Sequence, residues 1–241
     1  WWLPALVTGA VLAFVTSKRM RRAAQDGHAS TLPPVRELWS FFFGSLGLVV
    51  AGTAIPLAMP LIVVARFGIT MSAYFAISWS VISAAVIVMH MLVGPFVAAV
   101  STCPPESSVH LLRRFGLILT SLAVLAGLGL GILGPLMLKL VGHDYYVNGR
   151  ALMYFAALTV PLAVVLILYQ ASSRVLRKLR LAVVLEGLSA AIVLVGISIS
   201  PTDRGLVVVG MWFLIAQGVV AVFAVAPLVR NLTRLTDVRL L

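Results

Sequence analysis

Charge is what this sequence has least of. Only 10% of its 241 residues are Asp, Glu, Lys or Arg, against about 25% in a soluble domain. So few polar side chains could not cover a globule of this length. With 61% hydrophobic residues, the class that remains is an integral membrane protein with several spans. Acid is scarcer still: seven Asp and Glu stand against 18 Lys and Arg, a formal net charge of +11. In a soluble protein that excess would suggest nucleic acid. Here the cations sit in short loops between apolar runs, so the excess reads as membrane topology and contact with anionic lipid headgroups, not as a nucleic-acid surface. A single cysteine, Cys103, excludes an internal disulfide and any cysteine-based metal or redox motif. No GxxxxGK[ST], HExxH, CxxC or Gly-x-Ser-x-Gly occurs, and no paired intramembrane carboxylates mark a hydrolase. Neither an enzyme nor a cofactor or metal site has residues to stand on.

What is present is long and apolar, divided by basic loops. Seven segments can be drawn, at 1–16, 38–65, 72–100, 115–138, 151–172, 181–200 and 205–229. A span needs roughly 20 apolar residues. The expected fold is therefore an all-α integral membrane protein of about seven transmembrane helices. The seam 17–37, SKRMRRAAQDGHASTLPPVRE, carries Lys18, Arg19, Arg21, Arg22 and Arg36. Lys and Arg are retained on the cytoplasmic side of a membrane, so the seam is expected there and alternate loops with it. That set then also holds Arg113 and Arg114, then Arg174, Arg177, Lys178 and Arg180, and the tail 230–241 with Arg230, Arg234 and Arg239. The opposite set is Arg66, Lys139, Arg150 and Arg204. The 18 cations divide 14 to 4, which favours seven spans with a cytoplasmic C-terminus in the cell membrane. The chain opens WWLPALVTGAVLAFV without an initiator Met or a basic n-region. That is unlike a signal peptide and is expected of a helix already under way, so we take the chain as part of a longer protein.

Three segments carry stripes of small residues at steps of three and four. They are Gly44, Gly47, Ala51, Ala54 and Ala58; then Ala73, Ala76, Ser80 and Ser83; then Ala123, Gly127, Gly131 and Gly134. Such stripes let helix backbones approach closely in lipid, where packing drives association. All three are expected at helix contacts. Pro56, Pro60, Pro95, Pro135 and Pro161 fall within spans, where each removes a backbone donor and tends to kink its helix.

Ionisable groups inside a bilayer mark functional sites by default. Glu186 lies about a turn and a half into the sixth segment. Either it pairs with Arg180 or Arg177 near the interface, or it is a cavity-lining, ion-coupling carboxylate. His90 is either an interhelical hydrogen-bonding residue or a proton or substrate group. Arg66 either anchors the outer end of its helix or faces a central cavity and an anionic substrate. Arg174 belongs to the cytoplasmic cluster, and pointing inward it would help receive a phosphate. Gln170 and Gln217 are polar and uncharged. The stretch VGHDYYVNGR is expected as an outer loop whose tyrosines join the aromatic belt.

Four phrases carry a resemblance: LIVVARFGITMSAYFAISWSVI, GILGPLMLKLVGHDYYVNGRALMYFAAL, LYQASSRVLRKLRL and GMWFLIAQGVVAV. In their order and spacing over about 200 residues the chain resembles the C-terminal half of Wzx-type polysaccharide flippases, of the multidrug/oligosaccharidyl-lipid/polysaccharide exporter superfamily. The resemblance implies that 1–16 is the final helix of an N-terminal lobe, 17–37 a cytoplasmic linker, 38–229 a six-helix C-terminal lobe and 230–241 a cytoplasmic tail. Most of the N-terminal lobe, the expected partner, would be missing. It further implies transport of a polyprenyl-pyrophosphate-linked oligosaccharide by alternating access. The expected substrate-binding residues are Arg66, Arg174 and Gln170, with Glu186 and His90 for ion coupling. Membrane lipids and a polysaccharide polymerase or glycosyltransferases are further expected partners. The alternatives are another exporter of the superfamily, for lipid II or drugs, and a non-transporting membrane scaffold of a polysaccharide-synthesis complex.

Overall fold

The computed structural model describes residues 35–102 and 105–237. The predicted first span, most of the basic seam and Cys103 lie outside the described residues. Two compact units divide the chain, Trp1–Ser40 and Phe41–Leu241. Of the first, only 35–40 are described, as the opening residues of a helix. The second holds everything that follows.

The described residues form helices and connecting turns, with no strand. In chain order they are α1 (Val35–Met91), α2 (Val93–Thr102), α3 (Pro105–Val141), α4 (His143–Val175), α5 (Arg180–Ile199), a short 3-10 turn at Thr202–Arg204, and α6 (Leu206–Asp237). Five stretches are long and apolar enough to cross a membrane, so the chain is an all-α, multi-pass membrane protein. The first of them, Trp39–Val100, has 62 residues. At 1.5 Å per residue that is about 93 Å, some three times the thickness of a bilayer core. It cannot be one span.

Packing shows how the length is used. The first half of α1 runs alongside α5. Gly44 lies against Leu179, Gly47 against Val183 and Gly52 against Glu186, and the Arg66 guanidinium reaches the Ser200 carbonyl. Both numbers rise together, so these helices are parallel. The second half runs alongside α4. Tyr74 meets Tyr145 edge-on, and Ser78 sits against Gly149. These two are also parallel. Helix α6 is antiparallel to α5, through Trp212 with Ser200 and Gln217 with Ser189. It is parallel to α4, through Gly210 with Phe155 and Asn231 with Ser172. It follows that α4 opposes α5, and that the two halves of α1 oppose each other. The reversal is at Gly68, with φ 82° and ψ 173°, a backbone region open to glycine and strained for an L side chain. α1 is thus a helical hairpin. Its halves, with α3 to α6, fall on predicted segments two to seven.

Local chemistry explains the other boundaries. Helix α1 stops at Met91 and α2 starts at Val93. The ring of Pro95 would clash with the carbonyl four residues back, at Met91. Helix α5 ends where Ser200 turns extended (ψ 150°) ahead of Pro201, because a proline disfavours helix in the residue before it.

The structure bears on the other expectations as well. Pro56, Pro60, Pro135 and Pro161 lie inside helices that continue through them; of the five, only Pro95 accompanies a break. The stretch after Gly142 is not a loop: α4 starts at His143. Helix α6 runs to Asp237, so most of the predicted tail is helical. Two of the small-residue stripes pack as expected. Along α3, Ala123, Gly127 and Gly134 are buried, and a Cβ on Gly127 would lie 2.8 Å from the Ala157 carbonyl oxygen. The stripe at Ala73, Ala76 and Ser80 is exposed instead. The buried residues there are Phe75, Ser78, Ile82 and Met89, offset by two positions. Two residues are about 200° on a helix of 3.6 residues per turn, so the small stripe lies on the opposite face.

The turns at Gly68, Gly142 and 200–205 share one end of the bundle, hereafter the turn end. Arg113, Arg114, Arg230 and the cluster 174–180 share the other, the basic end. Among the described residues the two predicted groups of cations thus separate in space.

Candidate functional site

A cavity of about 590 Å³ opens between α1, α4, α5 and α6, within the usual size range of ligand pockets. Toward the turn end its wall is apolar, with Trp79, Leu152, Ala156 and Phe213. Trp79 stacks on Phe75 at 5.5 Å and meets Phe213 at 5.2 Å. Toward the basic end the polar and ionisable side chains gather: His90, Gln170, Arg174 and Glu186 stand among apolar neighbours such as Leu48, Ile87 and Met91. The cavity is therefore mostly apolar, with its ionisable groups at one end.

Glu186 is carried by α5 a turn and a half from its start. The Gln170 side-chain amide donates to its Oε2 at 2.6 Å, across the α4–α5 contact. Among the described residues Glu186 forms no ion pair, so the pairing with Arg180 or Arg177 that the sequence left open is not made. Gly52 on α1 faces the other carboxylate oxygen: a Cβ there would stand 3.6 Å from Oε1. The absence of a side chain at Gly52 keeps that oxygen accessible from the cavity.

His90 Nδ1 lies 3.0 Å from the Val86 carbonyl oxygen. A carbonyl only accepts, so Nδ1 carries the proton and a neutral ring keeps Nε2 as an acceptor. Gln217, the polar residue that α6 adds to the wall, donates its amide to Ser189 Oγ at 3.2 Å. Its Oε1 is buried and has no partner. A buried acceptor without a donor costs about 1–3 kcal/mol and is the group a bound ligand would satisfy. Ser189 is three residues beyond Glu186, one turn along the same face of α5, so Gln217 and Glu186 stand about one helical turn apart.

Four of the five site residues expected from sequence thus meet at one cavity: Gln170, Arg174, Glu186 and His90. Arg66 does not line it. Its guanidinium donates to the Ser200 carbonyl at 2.6 Å, while Ser200 Oγ donates to the Gly196 carbonyl and accepts from Trp212 Nε1, each at 2.7 Å. Arg66 belongs to a knot of hydrogen bonds at the turn end that ties α1 to α5 and α6. Gln217 and Trp79 were missed as site residues. Gln217 was legible as an amide in an apolar span. Nothing in the sequence distinguishes Trp79 from the other aromatics, because its place depends on the hairpin. Comparison with protein-family models, with curated proteins and with solved structures finds no match to this chain.

Proposed function

We propose that this chain is the substrate-binding part of a membrane transporter that flips a polyprenyl-pyrophosphate-linked oligosaccharide by alternating access, for cell-surface polysaccharide synthesis. The observation that carries the reading is a mostly apolar cavity whose ionisable groups, Arg174 among them, gather at the basic end. Such a wall suits a ligand with a polar anionic head and an apolar body. Its volume would admit one or two sugar units with a phosphate. In this reading the membrane is the cytoplasmic membrane and the basic end is the cytoplasmic side, as the charge bias requires. Substrate enters from there, Arg174 and Gln170 receive its head, and the Glu186 carboxyl and His90 are the groups for ion coupling. Seven spans and a cytoplasmic C-terminus are part of the proposal.

The test is complementation. The gene is expressed in a strain lacking its own oligosaccharide flippase, and surface polysaccharide is measured. Restored polysaccharide supports the reading. A correctly inserted protein that restores none sinks it.

A second reading draws on Glu186. A carboxyl in a cavity wall without an ion-pair partner also suits a cationic compound, as an exporter of drugs would need. Cation-efflux measurements in the same strain separate the two.

A further inference from the structure

The turn between α4 and α5 is built in a way that membrane topology alone does not require. Lys178 N–H donates to the Ser173 carbonyl at 2.9 Å, and Arg177 N–H to the Arg174 carbonyl at 3.2 Å. This pair of bonds closes a helix with a left-handed residue, a position that glycine usually fills. Here it is Arg177, with φ 55°. It is the one non-glycine residue with positive φ among the described residues. A left-handed conformation is strained for an L residue. The structure over-determines the strained turn from below. Asn231 on α6 donates to both Ser172 Oγ and Ser173 Oγ at 3.3 Å, and both serines are fully buried.

The same seven residues hold Arg174, Arg177, Lys178 and Arg180. Among the described residues no carboxylate pairs with any of them. Arg177, Lys178 and Arg180 are exposed, and Arg174 lines the cavity. A cytoplasmic cation bias would be met by charge anywhere in this loop. It does not need a cation at the strained position. Strain held by surrounding structure points to function.

We propose that this turn is a phosphate-binding site at the basic end of the bundle, in which the exposed Arg177 and Lys178, with Arg174 one turn back at the cavity wall, take a phosphate group. Several unpaired cations, two of them planar forks, match the charge and the oxygens of a phosphate. The phosphate belongs either to a lipid headgroup or to a soluble pyrophosphate. The proposal deepens the transporter reading and rests on it only for the membrane setting.

The test uses the whole chain in phosphatidylcholine nanodiscs and reads the thermal unfolding midpoint. Phosphatidic acid in the disc, oleate in the disc, or inorganic pyrophosphate in the buffer are the probes. Wild type is expected to gain stability with a phosphate probe and little with oleate. An upward shift with phosphatidic acid alone places the phosphate on a lipid, and one with pyrophosphate places it in solution. Arg177→Gly is expected to match or exceed the wild-type midpoint without probe, because strain is relieved, yet to lose at least half of the probe-induced shift. Arg177→Lys is expected to keep most of it. A full shift in Arg177→Gly, an equal shift with oleate, or a lowered midpoint of Arg177→Gly without probe would each overturn the proposal. No step of this assay involves transport. A failed complementation would therefore leave the site standing, and a failed phosphate shift would leave the transporter reading open.

Discussion

The two ends of α5 meet the same neighbours and are finished in opposite ways. At the turn end, Ser200 has its carbonyl taken by Arg66 and its hydroxyl shared between Trp212 and Gly196. The polar groups of Ser200 all have partners within the protein. At the basic end, Glu186 holds one hydrogen bond from Gln170 and no counter-charge among the described residues. Gln217 keeps an empty acceptor, and Arg174 faces the cavity. Saturated polar groups inside a helix bundle hold helices together. Unsaturated ones cost stability and persist where a ligand completes them. On this criterion Arg66 holds helices together and the Glu186 end is where we propose that a ligand binds, although both are charged residues in apolar spans and looked alike in the sequence.

The comparison can be broken by substitution. The largest effect is expected for Arg174→Ala. A hydrogen bond to a charged group is worth about 1.5–3 kcal/mol. Affinity for a phosphate-bearing substrate should therefore fall roughly 10- to 100-fold, with the unfolding midpoint unchanged. A titration of purified protein measures the first, and a thermal scan checks the second. Next, Ala123→Leu should destabilise by about 1–3 kcal/mol through overpacking. Ala123 is fully buried on α3. Denaturation in detergent measures it, and a change below about 0.5 kcal/mol would contradict the packed stripe.

At the turn end, Trp212→Phe keeps the ring and removes the donor to Ser200. About 1 kcal/mol of stability should be lost, and substrate affinity should not change. Arg66→Ala should behave likewise and lose somewhat less, because this side chain is partly solvated. A fall in affinity with stability intact would return Arg66 to the substrate site and undo the distinction drawn between the ends. The smallest effect is expected for Ala76→Leu, on the exposed face of α1, within about 0.5 kcal/mol of wild type. A large loss there would show that the exposed stripe is a packing face after all.

Composition and periodicity carried the class and most of the architecture. Apolar runs of spanning length can do nothing else in water, and so the multi-pass helical fold was legible at once. The separation of the cations into two groups was legible too, because loops alternate between ends whatever the helices do in between. The stripe on α3 could be read because small residues there meet a backbone, at Ala157. The stripe on the second half of α1 could not, because the same spacing occurs on a face that packs and on one that does not. Only the neighbour decides. Glu186, His90, Gln170 and Arg174 could each be picked out as polar groups in or beside apolar spans. That they converge required the fold: they come from three elements, and their meeting depends on the reversal at Gly68 and on the pairing of α4 with α5. Gly68 itself sits in the short gap between two predicted spans, but its φ of 82° is a property of the folded chain. The left-handed turn at Arg177 was hidden for the same reason, since no local preference of arginine predicts it. Sequence determined what must enter the membrane, because transfer free energy is additive along the chain. Tertiary structure alone decided which polar groups found partners and which were left for a ligand, because saturation depends on what stands opposite.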